Sequence, residues 1–429
     1  MSVFFCACSS STTTITNTGL TESADSSHSV DLPKPYETRS AINFSEVIGW
    51  PEGKTPVAPE GFVVTKFADG FNNPRWVYIT PGGDVLVAEA NTHVRGLNKV
   101  ADKVIGKAQS ENSELSGNKI WIFRDADKDG IPEERYILLK GLSRPLGMVV
   151  VKDKLYVANS SELLQFNYKS GEFSITDDPK IICKLPGGGY NNHWTRNVIA
   201  NKKGTKLYVS VGSASNAGEH GMEEEIRRAN ILEMNPDGSG ERVYASGLRN
   251  PVGMDWAPES GELWTVVNER DKLGDDLVPD YLTSVKDGGF YGWPWSYFGQ
   301  NEDPRLKDKN PEMVKKAIVP EVALGSHTAS LGLTFNTYNA FPEKYKNGAF
   351  IGQHGSWNRS VLSGYKVMFV PFKNGKPSGP PEDFLTGFVN DLKKEKVYGR
   401  PVCVAFMKDG SLLVTDDASN VIWRVSHKK

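Results

Sequence analysis

The chain has 429 residues and a formal net charge of −2. That balance leaves no basic surplus for nucleic acid or an anionic membrane surface, and no apolar run reaches the ~18 residues a spanning helix needs. The 42 glycines and 25 prolines, beside 10 tryptophans and 15 tyrosines, describe a turn-rich protein built of many short strands.

The chain begins MSVFFCACSSSTTT, a small apolar patch and then a Ser/Thr tract. Its Ala-Cys step resembles the tail of a bacterial lipoprotein signal, with Cys8 as the lipidated residue; that would place the protein in the periplasm or cell envelope. The alternative is a polar tail with two exposed thiols, Cys6 and Cys8. Residues 1–35 read as a flexible tether and 36–429 as one catalytic domain. Cys183 (IICKL) and Cys403 (RPVCVAF) sit in strand-like runs and are expected to be buried apolar residues.

From residue 73 onward one pattern recurs six times: a polar opener, a short apolar strand, a Gly/Asp/Lys turn and a second apolar strand. The copies are NPRWVYITPGGDVLVAEA, RPLGMVVVKDKLYVANS, TRNVIANKKGTKLYVSVG, NPVGMDWAPESGELWTVVN, SLGLTFN with NGAFIGQHG, and RPVCVAFMKDGSLLVTDD. Further strand pairs such as KIWIFRDADKDG lie between them, and long helical periodicity is almost absent. The pattern predicts an all-β protein, a six-bladed β-propeller of four-stranded antiparallel blades.

In such a fold, residues just before each inner strand and just after the second strand share one mouth. Those positions hold Asn73, Arg144, His193, Arg249, Asn250, His327 and Arg400, then Glu89, Asn159, Asn268 to Asp271, His354, Trp357, Arg359, Asp416 and Asp417. Clustered arginines repel one another unless an anion lies among them, so an anionic ligand is expected. His193, in NNHWTRN, is the expected general base, because a neutral imidazole can accept a hydroxyl proton. The Arg249-Asn250 turn offers a guanidinium fork beside an amide, suited to carboxylate and carbonyl oxygens.

Asp125, Asp127 and Asp129 followed by Gly130 form a DxDxDG loop, which bends around a hard cation such as Ca²⁺. Tyr136 occupies the place of the usual bidentate Glu, so Glu134 or its neighbour Glu133 is expected to complete the set. GxSxG, HExxH, P-loop and dinucleotide-binding motifs are all missing, which weakens the serine hydrolase, zincin, NTPase and nicotinamide dehydrogenase readings.

The runs HWTRN, GLRNPVG, NERDKLGDDLVPDYLTSVKDGGFYGWP, GSHTASLGLTF, FIGQHGSWNRS and GRPV to IWRV resemble the sorbosone dehydrogenase family, soluble sugar and aldose dehydrogenases dependent on pyrroloquinoline quinone (PQQ). The likeness runs in order from about residue 58 to 427. It implies PQQ with associated Ca²⁺ and oxidation of a sugar or sugar aldehyde, the electrons then passing to an acceptor such as a cytochrome or quinone. By the resemblance, His193 and Arg249 are catalytic, His193 taking the hydroxyl proton while hydride passes to the quinone. The cofactor would be bound by Arg95, Arg196, Arg249, Asn250, Arg270, His327, His354, Trp357 and Arg400. Arg270, Asp271 and Lys272 match the loop whose backbone carbonyls hold calcium, although the Gly-Pro found there in some glucose dehydrogenases is missing. Trp194, Trp357 or Tyr291 would stack on a sugar ring. Two alternatives remain open: a calcium-dependent propeller hydrolase using Asp271, Asp275 and Asp416, and a non-catalytic glycan-binding propeller.

Overall fold

The computed structural model describes residues 30–91, 110 and 117–428; Cys6, Cys8 and Arg95 lie outside the described residues. Six four-stranded antiparallel sheets make up the body. The first holds Pro74–Ile79, Val85–Glu89, Lys119–Arg124 and Glu134–Leu139; the second holds Met148–Val151, Lys154–Ala158, Glu162–Asn167 and Lys180–Lys184. Arg196–Ala200, Leu207–Val211, Asn230–Met234 and Arg242–Ser246 form the third, and Pro251–Trp256, Leu263–Val267, Pro279–Ser284 and Val322–Ser326 the fourth. Ser330–Phe335, Ala349–Gln353, Lys366–Val370 and Glu382–Leu385 form the fifth. The sixth takes Pro401–Phe406, Leu412–Asp416 and Val421–His427 from the end of the chain, and its outer strand, Phe62–Ala68, from near the beginning.

The strands read as their burial requires. The second strands of the first, third, fourth, fifth and sixth sheets are buried at every position, so they are near-continuous apolar runs, not alternating ones. Outer strands such as Arg242–Ser246 expose their first residues and carry charge. The core is distributed between neighbouring sheets. One apolar cluster joins Val149, Tyr156 and Leu163 of the second sheet to Val198, Val209 and Leu232 of the third; another joins Trp264 and Leu282 of the fourth to Leu333, Ile351 and Met368 of the fifth.

First strands contact one another in chain order. Val150 N donates to Tyr78 Oη (3.0 Å), Gly147 N to the Arg196 carbonyl (3.0 Å), Asn197 Nδ2 to the Val252 carbonyl (2.9 Å), and Phe335 N to Asp255 Oδ2 (2.8 Å). Val77 N, meeting Cys403 Sγ at 3.4 Å, brings the first sheet back to the sixth. The approach is close: a Cβ on Gly253 would lie 2.6 Å from the Leu331 carbonyl. This is a propeller-like arrangement. Four of these strands shift register against their partners near their first residue, at Pro74, Pro251, Ser330 and Pro401. Such bulges bend the strand and re-aim the side chains around them. All four lie at the strand ends that carry the polar openers.

Cys183 and Cys403 are buried free thiols, both pushed up to about 12 by burial. No helix among the described residues is long and apolar enough to cross a membrane.

Candidate functional site

Loops at the bulged ends of the inner strands surround a cavity of about 490 Å³, within the usual range for small-molecule sites. Several of its residues have left-handed backbones: Asn73 (φ 59°), Lys272 (φ 72°), His327 (φ 60°) and Ala329 (φ 51°). Strain of this kind, held by surrounding packing, collects at ligand sites.

His193 lies on the wall. Its Nδ1 sits 2.9 Å from the Ser213 carbonyl and 3.0 Å from Ser213 Oγ. A carbonyl only accepts, so Nδ1 carries the proton and Nε2 holds the lone pair. Burial, reinforced by the Arg249 charge, lowers His193 to about 3, which keeps the ring neutral. Gly212 makes this packing possible: a Cβ there would fall 2.4 Å from Asn250 Oδ1 and 2.6 Å from His193 Cβ.

Arg249 spends its donors on the loops around it. It reaches the Asn216 carbonyl (3.1 Å) and Oδ1 (2.9 Å), the Asn268 carbonyl (3.2 Å), the Glu269 carbonyl (2.7 Å) and Asp271 Oδ2 (3.3 Å). Asp271 Oδ1 also accepts from Asn358 and lies 3.6 Å from His327 Nδ1. Burial pushes Asp271 up, but His327 and Arg249 outweigh it and hold the carboxyl at about 2; His327 is raised in turn, Asp271 overcoming burial.

The sixth-sheet side repeats the theme. Asp417 accepts from Arg75 and, at 2.8 Å, from His354 Nε2. Burial opposes ionisation, yet His354, Arg75 and Arg400 hold Asp417 far below the carboxylate range. Burial first, then Arg400, lowers His354 to about 4. Arg400 donates to the His354, Gly355 and Ser110 carbonyls.

The cavity thus gathers His193, Arg249, Asn250, Asp271, Lys272, His327, His354, Trp357 and Arg400 from the expected set. Of the expected mouth and stacking residues, Glu89, Arg144, Asn159, Tyr291, Arg359 and Asp416 are not on its wall, and neither are two of the expected cofactor ligands. Arg196 turns back to staple its own loop, donating to the His193, Thr195 and Pro186 carbonyls, and burial lowers it to about 9. Arg270 is fully buried against Glu269, Asp303 and the Pro294 and Ser296 carbonyls. The arginine cluster expected from sequence is assembled only in part. Arg249 and Arg400 line the cavity together with Arg75 and are compensated by carbonyls, while Arg270 and Arg359 pair with carboxylates elsewhere.

The calcium expectations change in the same way. The Asp271 carbonyl already accepts from Asn216 Nδ2 and Arg305, both at 3.1 Å. In the acidic loop, Asp125, Asp127 and Asp129 come together with Glu133; Glu134 instead lies on a strand 3.9 Å from Arg124. That loop joins the two outer strands of the first sheet and takes no part in the cavity.

Arg75, Asn216, Asp280 and Asn358 line the cavity without having been singled out from sequence. Arg75 had a signal: Asn73-Pro74-Arg75 repeats the Asn-Pro of Asn250-Pro251. Four residues of the wall each hold a buried polar atom with no hydrogen-bond partner among the described residues: Asn73 Nδ2, Arg75 Nε, Asn250 Oδ1 and Glu269 Oε1. Buried groups of this kind call for a ligand or water.

The TrAA12-like family profile matches residues 56–280 and 296–428. The chain belongs to the TrAA12-like family. An uncharacterized protein of Borreliella burgdorferi is 32% identical over 306 residues, 68% of this chain and 78% of that one. A pyrroloquinoline quinone-dependent pyranose dehydrogenase of Coprinopsis cinerea is 24% identical over 85% of this chain, which spans 53% of that protein's length. The holo PQQ domain of Coprinopsis cinerea pyranose dehydrogenase superposes with a TM-score of 0.69 at 20% identity, covering 90% of this chain and 100% of that domain. The TrAA12-like assignment agrees with the kinship to PQQ-dependent sugar dehydrogenases expected from sequence.

Proposed function

We propose that this chain is a PQQ-dependent dehydrogenase that oxidises a sugar or sugar aldehyde, its six sheets being the blades of a closed propeller and His193 its catalytic base. The observation that carries the reading is His193 itself: a half-buried, neutral imidazole on the cavity wall, with Nδ1–H engaged and Nε2 left to accept a proton. The wall fits an anionic quinone through the unsatisfied donors Arg75 Nε and Asn73 Nδ2 and the exposed cation Lys272. When bound, the quinone supplies the hydride acceptor. Nε2 of His193 takes the substrate hydroxyl proton, Arg249 and Asp271 keep the loops around it in place, and Trp357 at the rim, stacked on Phe44 at 5.6 Å, offers a face to a sugar ring. Calcium would find hard oxygen donors in the Asp125–Glu133 loop, as a structural staple.

The hydrolase alternative loses its metal. Asp275 is taken by Ser360 N (3.0 Å) and Asp416 by Trp50 Nε1 (2.7 Å), and neither joins Asp271 in a metal-sized cluster among the described residues.

Purified protein mixed with PQQ and Ca²⁺ should change the quinone absorbance and reduce a dye when given aldoses. No change and no dye reduction would sink the proposal. His193→Ala should still take up the quinone while losing about 10²- to 10⁴-fold in turnover, the usual share of a general base.

A further inference from the structure

Behind His193, away from the cavity, lies a buried carboxylate with no role so far. In the run Glu223-Glu224-Glu225 only the last is buried, at 5% exposure. Its Oε2 accepts from Ala214 N (2.7 Å), and its Oε1 from Ser215 N (3.0 Å) and Ser215 Oγ (2.5 Å). These are the residues directly after Ser213, which holds His193 Nδ1. Ser213 Oγ donates to the Ser215 carbonyl (2.6 Å), so its lone pairs and its carbonyl are what the imidazole N–H meets. The same loop is tied to both strands of the site: Ser213 N donates to the Arg249 carbonyl (2.7 Å) and Asn192 N to the Ala214 carbonyl (3.0 Å).

We propose that Glu225 is a positioning residue: by gathering the Ala214 and Ser215 donors it fixes Ser213, and through Ser213 it fixes the ring orientation of His193 and the nitrogen that bears the proton. The inference rests on the reading of His193 as the base. The carboxylate suits the task because it only accepts, and three donors converge on it. A neutral amide would turn an NH₂ group towards one of those donors. Outer partners of this kind keep a working imidazole in one tautomer.

The test is Glu225→Gln in the quinone-loaded protein. Turnover should fall about 10- to 100-fold, the usual effect of losing an outer hydrogen-bond partner, while KM for the sugar and quinone uptake stay unchanged. The ring ¹⁵N shifts of His193, assigned by their loss in His193→Ala, should pass at neutral pH from one Nδ1–H tautomer to a mixture. Glu225→Asp should recover part of the turnover. Unchanged turnover together with a single Nδ1–H tautomer in Glu225→Gln would overturn the proposal. If Glu225→Gln does not fold, Ser215→Ala, which removes one of the three donors, gives the same reading: a mixed tautomer supports the inference and an unchanged one overturns it. Turnover retained in His193→Ala would overturn the base reading, and with it any part for Glu225 in the reaction; failure of Glu225→Gln alone leaves the base reading standing.

Discussion

Two carboxylate–histidine pairs serve the same cavity and end in opposite states. Asp271 pairs with His327, and Asp417 with His354; both carboxyls are held low, yet His327 is raised while His354 is lowered to about 4. The residue types are the same; His327, His354 and Asp417 are buried, and Asp271 is partly exposed to the cavity. Burial lowers both imidazoles, and the neighbours then oppose it at His327 and add to it at His354. His327 has Asp280 as a second negative charge and gives Nε2–H to the Gly274 carbonyl at 2.8 Å. His354 faces Arg400 and Arg75, so a proton there would add a third positive charge around one carboxylate. The lesson is that the charge count around a pair, more than the pair, sets the protonation of its imidazole.

The largest effect should come from removing the shared anion of the sixth-sheet side. Asp417→Asn leaves Arg75 and His354 facing a neutral amide in a buried place, and should lose about 3–5 kcal/mol in chemical denaturation. A loss below about 1 kcal/mol would mean that side is not a charge pair of the buried kind.

The pH dependence comes next. His354 binds its proton less well folded than unfolded, so the unfolded chain gains protons first as pH falls below 6.5, and stability is lost down to about 4. That is worth roughly 3 kcal/mol at ~1.4 kcal/mol per pKa unit. Asp255, Asp280 and Asp416, each raised by burial to about 6, act in the opposite direction over the same window. The reading is therefore the variant minus its parent: His354→Gln should gain on the parent as pH falls from 6.5 to 4. His327→Gln should instead lose on the parent as pH falls through the folded His327 value towards 6.5 and stay level below it, because a raised histidine gives stability that is fully present below 6.5 and fades as pH rises through its folded value. The same sign for both variants would break the comparison.

The smallest effect should be Asn358→Ala, which removes the amide that donates to Asp271 and lies 3.0 Å from His327 Nδ1. It should cost about 1.5–3 kcal/mol, as for hydrogen bonds to charged groups, and move the His327 titration seen by NMR while leaving that of His354 in place.

The sheets were legible because their signal is periodic. The six quoted copies coincide with the six inner strand pairs, and Pro74, Pro251 and Pro401 open inner strands as the openers suggested. Loop side chains carry no such period. Arg196 and Arg249 both stand at the start of an inner strand, yet one folds back on its own loop and the other reaches the cavity. Arg270 and Asp271 are adjacent, one sealed against Asp303 and the other lining the cavity. Which way each points depends on carbonyls that arrive from Pro186, Asn216 or Pro294, far enough along the chain that local sequence does not reveal them.

Of the strands in the six sheets, the outer strand of the sixth, Phe62–Ala68, comes first along the chain, and its partner, Val421–His427, comes last. Until the later strands of the sixth sheet are made, that earlier strand lacks its partner, and the cavity lacks Arg400 and Asp417. Closure joins residues more than 350 positions apart, a long-range pairing of the kind that folds slowly. The cavity is therefore complete only once these two distant stretches of the chain have met.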